Sequence, residues 1–462
     1  MSPSLKRRRV YLILFAVIFI SVGFILGNLF VGRVSASKTG TQYEKIGILL
    51  KVLNYVENNY VEEVKIQDLT YGAINGMLAT LDPHTNFLTP ELFKEMKIDT
   101  TGQFGGIGIE ITVKDDILTI IAPIEDTPAF QAGLKPNDKI VKIEEDFTDK
   151  MTLIEAVSKM RGKKGVPVNI YIMREGFKEP QKFTIVRDII KVRSIKSQLL
   201  DSDYGYIKIV NFQERTADDL RGAFNRLDAD ARKKQVKGKK EGLKGLILDL
   251  RNNPGGLLDQ AVRVSDLFLE KGVIVSTAGR HKENKDIQYA HQAGTLKNMP
   301  MIALVNGSSA SASEIVAGAL QDHRRAVVVG TKSFGKGSVQ QVIELNDQSG
   351  LKLTVAKYYT PQGRSIQGSG IEPDVVVEQI EPDVLKAEEK KRTDKKPFWR
   401  EQDLPRHLKE EKEKDEKGIE EFKEALKDEG LRYDYQLQQA YGYLKSYTIL
   451  ENIYSGKKKG AL

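Results

Sequence analysis

The sequence predicts a multidomain chain of mixed α+β and α/β type: an α/β core, a β-rich unit inserted ahead of it, and helical segments at both ends. Three observations predict this. Between Tyr204 and Gly330, the apolar runs YGYIKIV, GLILDL, VIVST, MIALVN and RAVVVG alternate with helical patterns at 216–230, 257–270 and 311–323, the order of a largely parallel sheet. From Thr101 to about residue 190, glycine-rich turns separate short strands. Toward both ends, apolar residues recur at helical spacing. A chain of 462 residues has room for two or three domains.

The first element is a targeting segment, residues 1–36. Lys6, Arg7, Arg8 and Arg9 precede an apolar run from Val10 to about Val31, near the ~20 residues that span a bilayer. Basic residues ahead of a span keep the amino terminus inside, which places everything after Gly32 outside the cytoplasm. The run is read as an uncleaved membrane anchor; the alternative is a signal cleaved near Val34-Ser35-Ala36. Residues 37–97 read as helical, with Ile46, Leu49, Leu50, Leu53 and Val56 at three- and four-residue spacing. The stretch LDPHTNFLTPE, Leu81 to Glu91, breaks the pattern with a turn and a new helix start. His84 in that turn is read as a local hydrogen-bonding residue.

Residues 98–190 have a different texture. TGQFGGIGIEITV is a glycine-rich loop entering an alternating strand, LTIIAPI is a second strand, and TPAFQAGLKPNDKIVKI is a short helix, a turn and a third. A helix ending at Gly162 and two paired strands follow. This order, with its PAFQAGLKPNDKIVKI stretch, resembles a PDZ domain. PDZ domains add an extended peptide to a sheet edge while loop amides hold its carboxylate. The resemblance makes Gly105, Gly106, Ile107 and Gly108 the peptide-binding loop.

Residues 191–378 form the α/β core, and three of its loops carry unusual residues. DLRNNPGGLLD, Asp249 to Asp259, exposes backbone amides at a helix start, a natural anion site. VNGSSASASEIVAGALQDH, Val305 to His323, places Ser311 among small residues at a helix start with an exposed hydroxyl. VVVGTKSFGKGSVQQ, Val327 to Gln341, sets Lys336 between glycines with no acid adjacent in the sequence. Plain alternatives exist: such serines often cap helices, and Gly-Gly pairs often serve turns. A phosphate loop at Gly330 to Lys336 fails, because Gly337 stands where Ser or Thr is needed and a strand follows where a helix is required.

Composition excludes several functions. There are no cysteines, so thiol catalysis, disulfides and cysteine-based zinc sites are excluded. The five histidines show no metal-ligand spacing, and neither a metal nor another cofactor is expected. The net charge of +8 comes from 71 basic against 63 acidic residues without a basic stripe, so nucleic acid is not an expected partner. Residues 379–462 begin with mixed-charge stretches read as a linker or exposed helices. They regain helical periodicity near the end, with Tyr435, Leu437, Ala440, Leu444 and Ile449 on one face.

SASASE (Ser309 to Glu314), FGKGSVQ (Phe334 to Gln340) and DLRNNPGG together resemble the carboxyl-terminal processing, or tail-specific, proteases, over about residues 40–375. The resemblance implies an α/β serine protease core with an inserted PDZ domain. It makes Ser311 the nucleophile, Lys336 the general base and Gln340 the residue that orients the lysine. Gly255 or Gly256, with Ala312, becomes the oxyanion hole, and Arg161 a link between PDZ domain and active form. Expected partners are protein substrates with free carboxyl termini, an activator or adaptor protein, the membrane, and a second copy through the flanking helices. The expected location is the bacterial cell envelope, with the enzyme anchored in the inner membrane and its catalytic domain outside the cytoplasm. The competing readings are a catalytically silent PDZ scaffold and a thioester enzyme on a similar core. A serine–histidine hydrolase would need His323, twelve residues along the helix from Ser311 and so pointing away.

Overall fold

In a computed structural model, residues 39–235, 241–281, 285–387 and 429–459 are described. The expected anchor, residues 10–31, lies outside them, as do residues 236–240 of the lysine-rich insertion and the mixed-charge stretch 388–428. Among the described residues no helix is long and apolar enough to cross a membrane.

The chain divides into two units, Met1–Phe87 and Leu88–Leu462. The first contains the helices Thr39–Asn59 and Ile66–Leu78. Of the apolar stripe predicted on the longer helix, Leu53 and Val56 are half-buried, whereas Ile46, Leu49 and Leu50 are exposed.

The second unit opens with the helix Pro90–Thr101, started by proline in its first turn and stopped by Gly102 at φ 66°. The strand Gln103–Gly106 then pairs antiparallel with Asp188–Lys191, so the chain enters and leaves the inserted domain through one two-stranded ribbon. Between them lies an antiparallel sheet in the order Ile109–Lys114, Ile117–Pro123, Lys139–Ile143, Pro167–Met173, Gln181–Val186. Alternate residues point inward, and Ile120, Ile140, Ile143, Ile170 and Ile172 are fully buried. Ile109–Lys114 is an edge strand of this sheet, and the helix Leu153–Met160 packs against it.

In the core sheet the order is Ile195–Leu199, Tyr204–Ile209, Gly245–Asp249, Met301–Val305, Val327–Gly330, Val375–Val376. Only the first pairing is antiparallel. Parallel strands are covered on both faces, and their side chains alternate accordingly. Leu246 and Leu248 meet the helices Thr216–Lys234, Leu258–Asp266 and Ala312–Asp322. Ile247, Ile302 and Leu304 face the opposite way, against Leu437, Ala440, Tyr441 and Leu444 of the carboxyl-terminal helix Tyr435–Lys459. Ile449, predicted on that buried face, is 54% exposed, and Tyr441 is buried in the face instead. A second antiparallel sheet runs Ser338–Glu344, Gly350–Tyr359, Gly272–Gly279, Lys285–Ala290.

Candidate active site

Gly245–Asp249, Met301–Val305 and Val327–Gly330 are consecutive neighbours in the parallel sheet. The three unusual loops therefore leave the same edge side by side, the usual place for ligands in open α/β sheets. The serines of SASASE are not equivalent there. Ser309 is fully buried and donates to the Leu250 carbonyl at 2.8 Å. Ser313 is fully buried and donates to the Asn253 carbonyl at 3.0 Å. Both tie the serine loop to the RNNPGG loop. Ser311 sits between them at φ 54°, ψ −111°, immediately ahead of the helix Ala312–Asp322. A non-glycine residue held in such a region costs of order 1–3 kcal/mol and needs surroundings that enforce it.

The enforcing group is Glu314, which is fully buried. Its Oε2 accepts from the amides of Ser311 (2.8 Å) and Lys336 (2.9 Å). Its Oε1 accepts from the Gly335 amide and the Ser333 hydroxyl, both at 2.6 Å. One carboxylate thus fixes the backbones of Ser311 and Lys336 together, and Phe334 N donates to the Ser309 carbonyl (3.0 Å) beside it. The backbone of Lys336 thus meets a buried acid that lies far from it in sequence. The acid's two oxygens are taken up by four donors. The sequence carries a signal for Glu314, because Ser311-x-x-Glu314 has the spacing of a capping box.

Asn253 knits the RNNPGG loop to the serine. Its carbonyl accepts from Ala310 N (3.0 Å) as well as Ser313 Oγ, its Nδ2 donates to the Ile209 carbonyl (2.9 Å), and its Oδ1 accepts from Gly255 N (2.9 Å). Gly255 has φ 106° and presses against the serine; a β-carbon there would stand 2.8 Å from Ser311 Cβ and 3.1 Å from Ala312 N. Its amide is spent on Asn253. The neighbouring Gly256 amide and the Ala312 amide at the helix start make no backbone or side-chain bond among the described residues. Ser311 itself is 8% exposed, so its hydroxyl is more enclosed than expected.

Gln340 and Tyr358 come from the strands Ser338–Glu344 and Gly350–Tyr359 of the second antiparallel sheet. Gln340 donates to Ser338 Oγ (3.3 Å) from a strand with a register shift at Val339/Gln340. Tyr358, whose amide donates to the Gly337 carbonyl (2.7 Å), is buried, and burial pushes its hydroxyl up to about 12, with a hydrogen bond to the Ser311 side chain pulling the other way. It therefore stays protonated beside the serine. Nothing in the sequence around Tyr358 signalled that position.

The other predicted residues lie in the inserted domain. Gly105, Ile107 and Gly108 all have carbonyls engaged, by Gly162 N, Ala129 N and Ile124 N respectively, so what that loop can offer a ligand is N–H. Gly106 closes the entry strand opposite Asp188. Arg161 ends the helix Leu153–Met160, pairs with Glu95 of the helix Pro90–Thr101, and lies over the Phe104 ring at 4.5 Å. It binds the helix Leu153–Met160 of the inserted domain to the segment preceding that domain. His323 bonds the Val273 carbonyl (2.7 Å) at the far end of the serine's helix, as its distance in sequence implied. Among the described residues no group of His, Asp and Glu is arranged to hold a metal ion.

Residues 203–377 match Peptidase family S41, residues 105–185 match the PDZ domain family, and residues 31–91 match the Activating protease CtpB N-terminal domain. A carboxy-terminal-processing protease of Bartonella bacilliformis is 46% identical over 373 residues, covering 80% of this chain and 84% of that protein. The carboxyl-terminal-processing protease of Synechocystis is 40% identical over 332 residues (70% and 75% covered). The carboxy-terminal processing protease CtpA of Bacillus subtilis is 36% identical over 357 residues (77% and 73%). This chain belongs to the carboxy-terminal processing proteases, serine-type peptidases of family S41 that carry a PDZ domain.

Proposed function

We propose that Ser311 attacks the substrate carbonyl with Lys336 as its general base. The observation that carries this reading is the shared anchorage of both residues on Glu314, which sets the two backbones against one carboxylate. In this reading Lys336 Nζ takes the Ser311 proton as Oγ bonds to the carbonyl carbon. Ala312 N and Gly256 N hold the oxyanion, since Gly255 N is committed to Asn253; each such donor is typically worth ~10²–10³ in rate. Collapse breaks the peptide C–N bond, and Lys336 returns its proton to the departing amine. Water activated by the neutral lysine then hydrolyses the acyl-enzyme. Gln340 orients the lysine amine without adding charge.

The PDZ domain recruits a substrate's carboxyl terminus, adding it to the edge strand Ile109–Lys114 with its carboxylate on the Gly105–Gly108 loop. Arg161 reports that occupancy to the rest of the chain through Glu95. Residues 6–31 anchor the protease in the membrane of a bacterial cell envelope with its catalytic unit outside the cytoplasm. The exposed apolar residues of Thr39–Asn59 suit self-association, and an adaptor protein suits a family that processes selected substrates.

The test compares the full chain with Ser311→Ala and Lys336→Ala on an unfolded protein, with melting temperature as the control for folding. Cleavage by the wild type alone supports the dyad. Cleavage by either folded variant at wild-type rate would refute the assignment. The domain limits 37–97, 98–190, 191–378 and 379–462 are likewise proposed, and limited proteolysis that cuts first inside one of them would redraw it.

A further inference from the structure

Asp434 caps the helix Tyr435–Lys459 by accepting from Leu437 N at 3.0 Å, and the same carboxylate crosses 183 residues of sequence to reach Arg251. Arg251 Nη1 donates to Asp434 Oδ1 (2.8 Å) and Gln436 Oε1 (3.0 Å), and Nη2 donates to Asp434 Oδ2 (2.5 Å). On its other side Nε and Nη2 donate to Asp249 (3.0 and 2.8 Å), which also accepts from the Tyr206 hydroxyl at 2.7 Å. Gln436 Nε2 is in turn held by the Val377 carbonyl (2.7 Å). All five guanidinium hydrogens are consumed. Arg251, Asp249, Asp434 and Gln436 are all buried.

Arg251 is the first residue of the RNNPGG segment. Two residues later Asn253 carries the serine loop on its carbonyl and fixes the Gly255 amide on its side chain. The guanidinium is thus the hinge pin of the loop that presents Gly256, and three of its five hydrogen bonds go to the carboxyl-terminal segment. That segment lies beyond residues 203–377, where the peptidase family match ends. We propose that Asp434 and Gln436 are positioning residues for the oxyanion loop, which makes residues 434–436 a working part of the active-site scaffold. The inference rests on the serine protease reading above. Asp434→Asn leaves Arg251 paired with Asp249 alone and sets an NH2 against one of the guanidinium N–H groups that Asp434 accepts from. The guanidinium would then shift toward Asp249, away from the misplaced NH2, and carry Asn252 and Asn253 with it. A displacement near 1 Å at a reacting centre costs about 10²-fold in rate.

The experiment uses the full chain with Asp434→Asn, which keeps the cap and the shape but loses the charge, and Gln436→Leu, which removes one acceptor from Arg251. Tyr447→Ser, on an exposed part of the same helix, is the control. Cleavage of a fluorogenic peptide gives kcat and KM, and the rate of labelling by a fluorophosphonate reports Ser311 directly. Asp434→Asn is expected to lower kcat and labelling roughly ten- to a hundred-fold, with KM within about twofold and a melting transition that remains cooperative. Gln436→Leu should move the same way by less, and Tyr447→Ser should match wild type. The proposal is overturned if folded Asp434→Asn keeps wild-type kcat, or if its loss simply tracks the unfolded fraction. Should Asp434→Asn fail to fold, an unchanged kcat in Gln436→Leu overturns it equally. A wild type that neither cleaves nor labels, like Ser311→Ala, refutes the protease reading itself and this inference with it.

Discussion

Glu314→Gln isolates the group that holds the two sides of the site together. The substitution keeps the shape and one carbonyl oxygen but replaces the other with NH2. Glu314 accepts from three backbone amides and one hydroxyl, two donors per oxygen. Ser333 can turn its hydroxyl to accept instead, but the amides of Ser311, Gly335 and Lys336 cannot. Whichever way the glutamine amide is turned, its NH2 meets at least one backbone N–H, and every remaining bond loses its charge. A hydrogen bond to a charged group contributes about 1.5–3 kcal/mol, and a buried donor left unmade costs about 1–3 kcal/mol. The expected destabilisation is therefore about 3–5 kcal/mol, which for a core of this size lowers the melting temperature by roughly 10 °C. Activity should fall further than stability, because Ser311 and Lys336 lose their common anchor; a loss of about 10²-fold in kcat follows from ångström-scale misplacement. Scanning fluorimetry and steady-state cleavage of an unfolded protein measure both. A folded Glu314→Gln enzyme with kcat within about twofold of wild type would refute the argument that this carboxylate sets the geometry.

Gly255→Ala would force a β-carbon to 2.8 Å from Ser311 Cβ at a backbone with φ 106°; activity should be lost, and a crystal structure of the variant should show the serine displaced. Ser309→Ala and Ser313→Ala each remove one buried bond to the RNNPGG loop, worth about 1 kcal/mol, so both should be less stable yet still react with fluorophosphonate, unlike Ser311→Ala. Burial alone would raise the Asp249 pKa, but the adjacent Arg251 guanidinium outweighs it and holds the carboxyl below its ordinary value. Such a group stabilises the fold fully above its unfolded pKa of about 3.9 and loses that contribution as pH falls toward the lower folded value. The stability difference between wild type and Asp249→Asn should therefore be constant from about pH 5 to 8 and shrink below about pH 4, as melting against pH would show.

Much of the architecture was legible because it is local. Strands such as Met301–Val305 are continuous apolar runs and the helix Thr216–Lys234 has a clean apolar stripe, so period and punctuation sufficed. The three loops could be singled out because each follows an apolar strand with a cluster of small and polar residues, although helix caps and turns use the same residue types. Ser311 was singled out by its place at a helix start and by the family resemblance, but the parts played by Ser309 and Ser313 were not legible, since they depend on the carbonyls met across the neighbouring loop. Long-range partners were equally invisible. No periodicity links Asp434 to Arg251, and none tells that Arg161 pairs with Glu95. The carboxyl-terminal face was misplaced by one turn at Ile449 because helical spacing alone does not say where the sheet beneath the helix ends.

The ribbon formed by Gln103–Gly106 and Asp188–Lys191 carries a consequence for how such a protein diversifies. The chain departs from and returns to its host along adjoining strands, with Val192 N bonded to the Gly102 carbonyl at 2.9 Å. Deleting everything beyond the ribbon leaves two ends a strand spacing apart, about 5 Å, a gap a short turn closes. The recognition domain is in that sense a cassette. A recombination event could exchange it for another peptide reader with paired termini, giving the hydrolytic machinery a new clientele without altering the loops that cut.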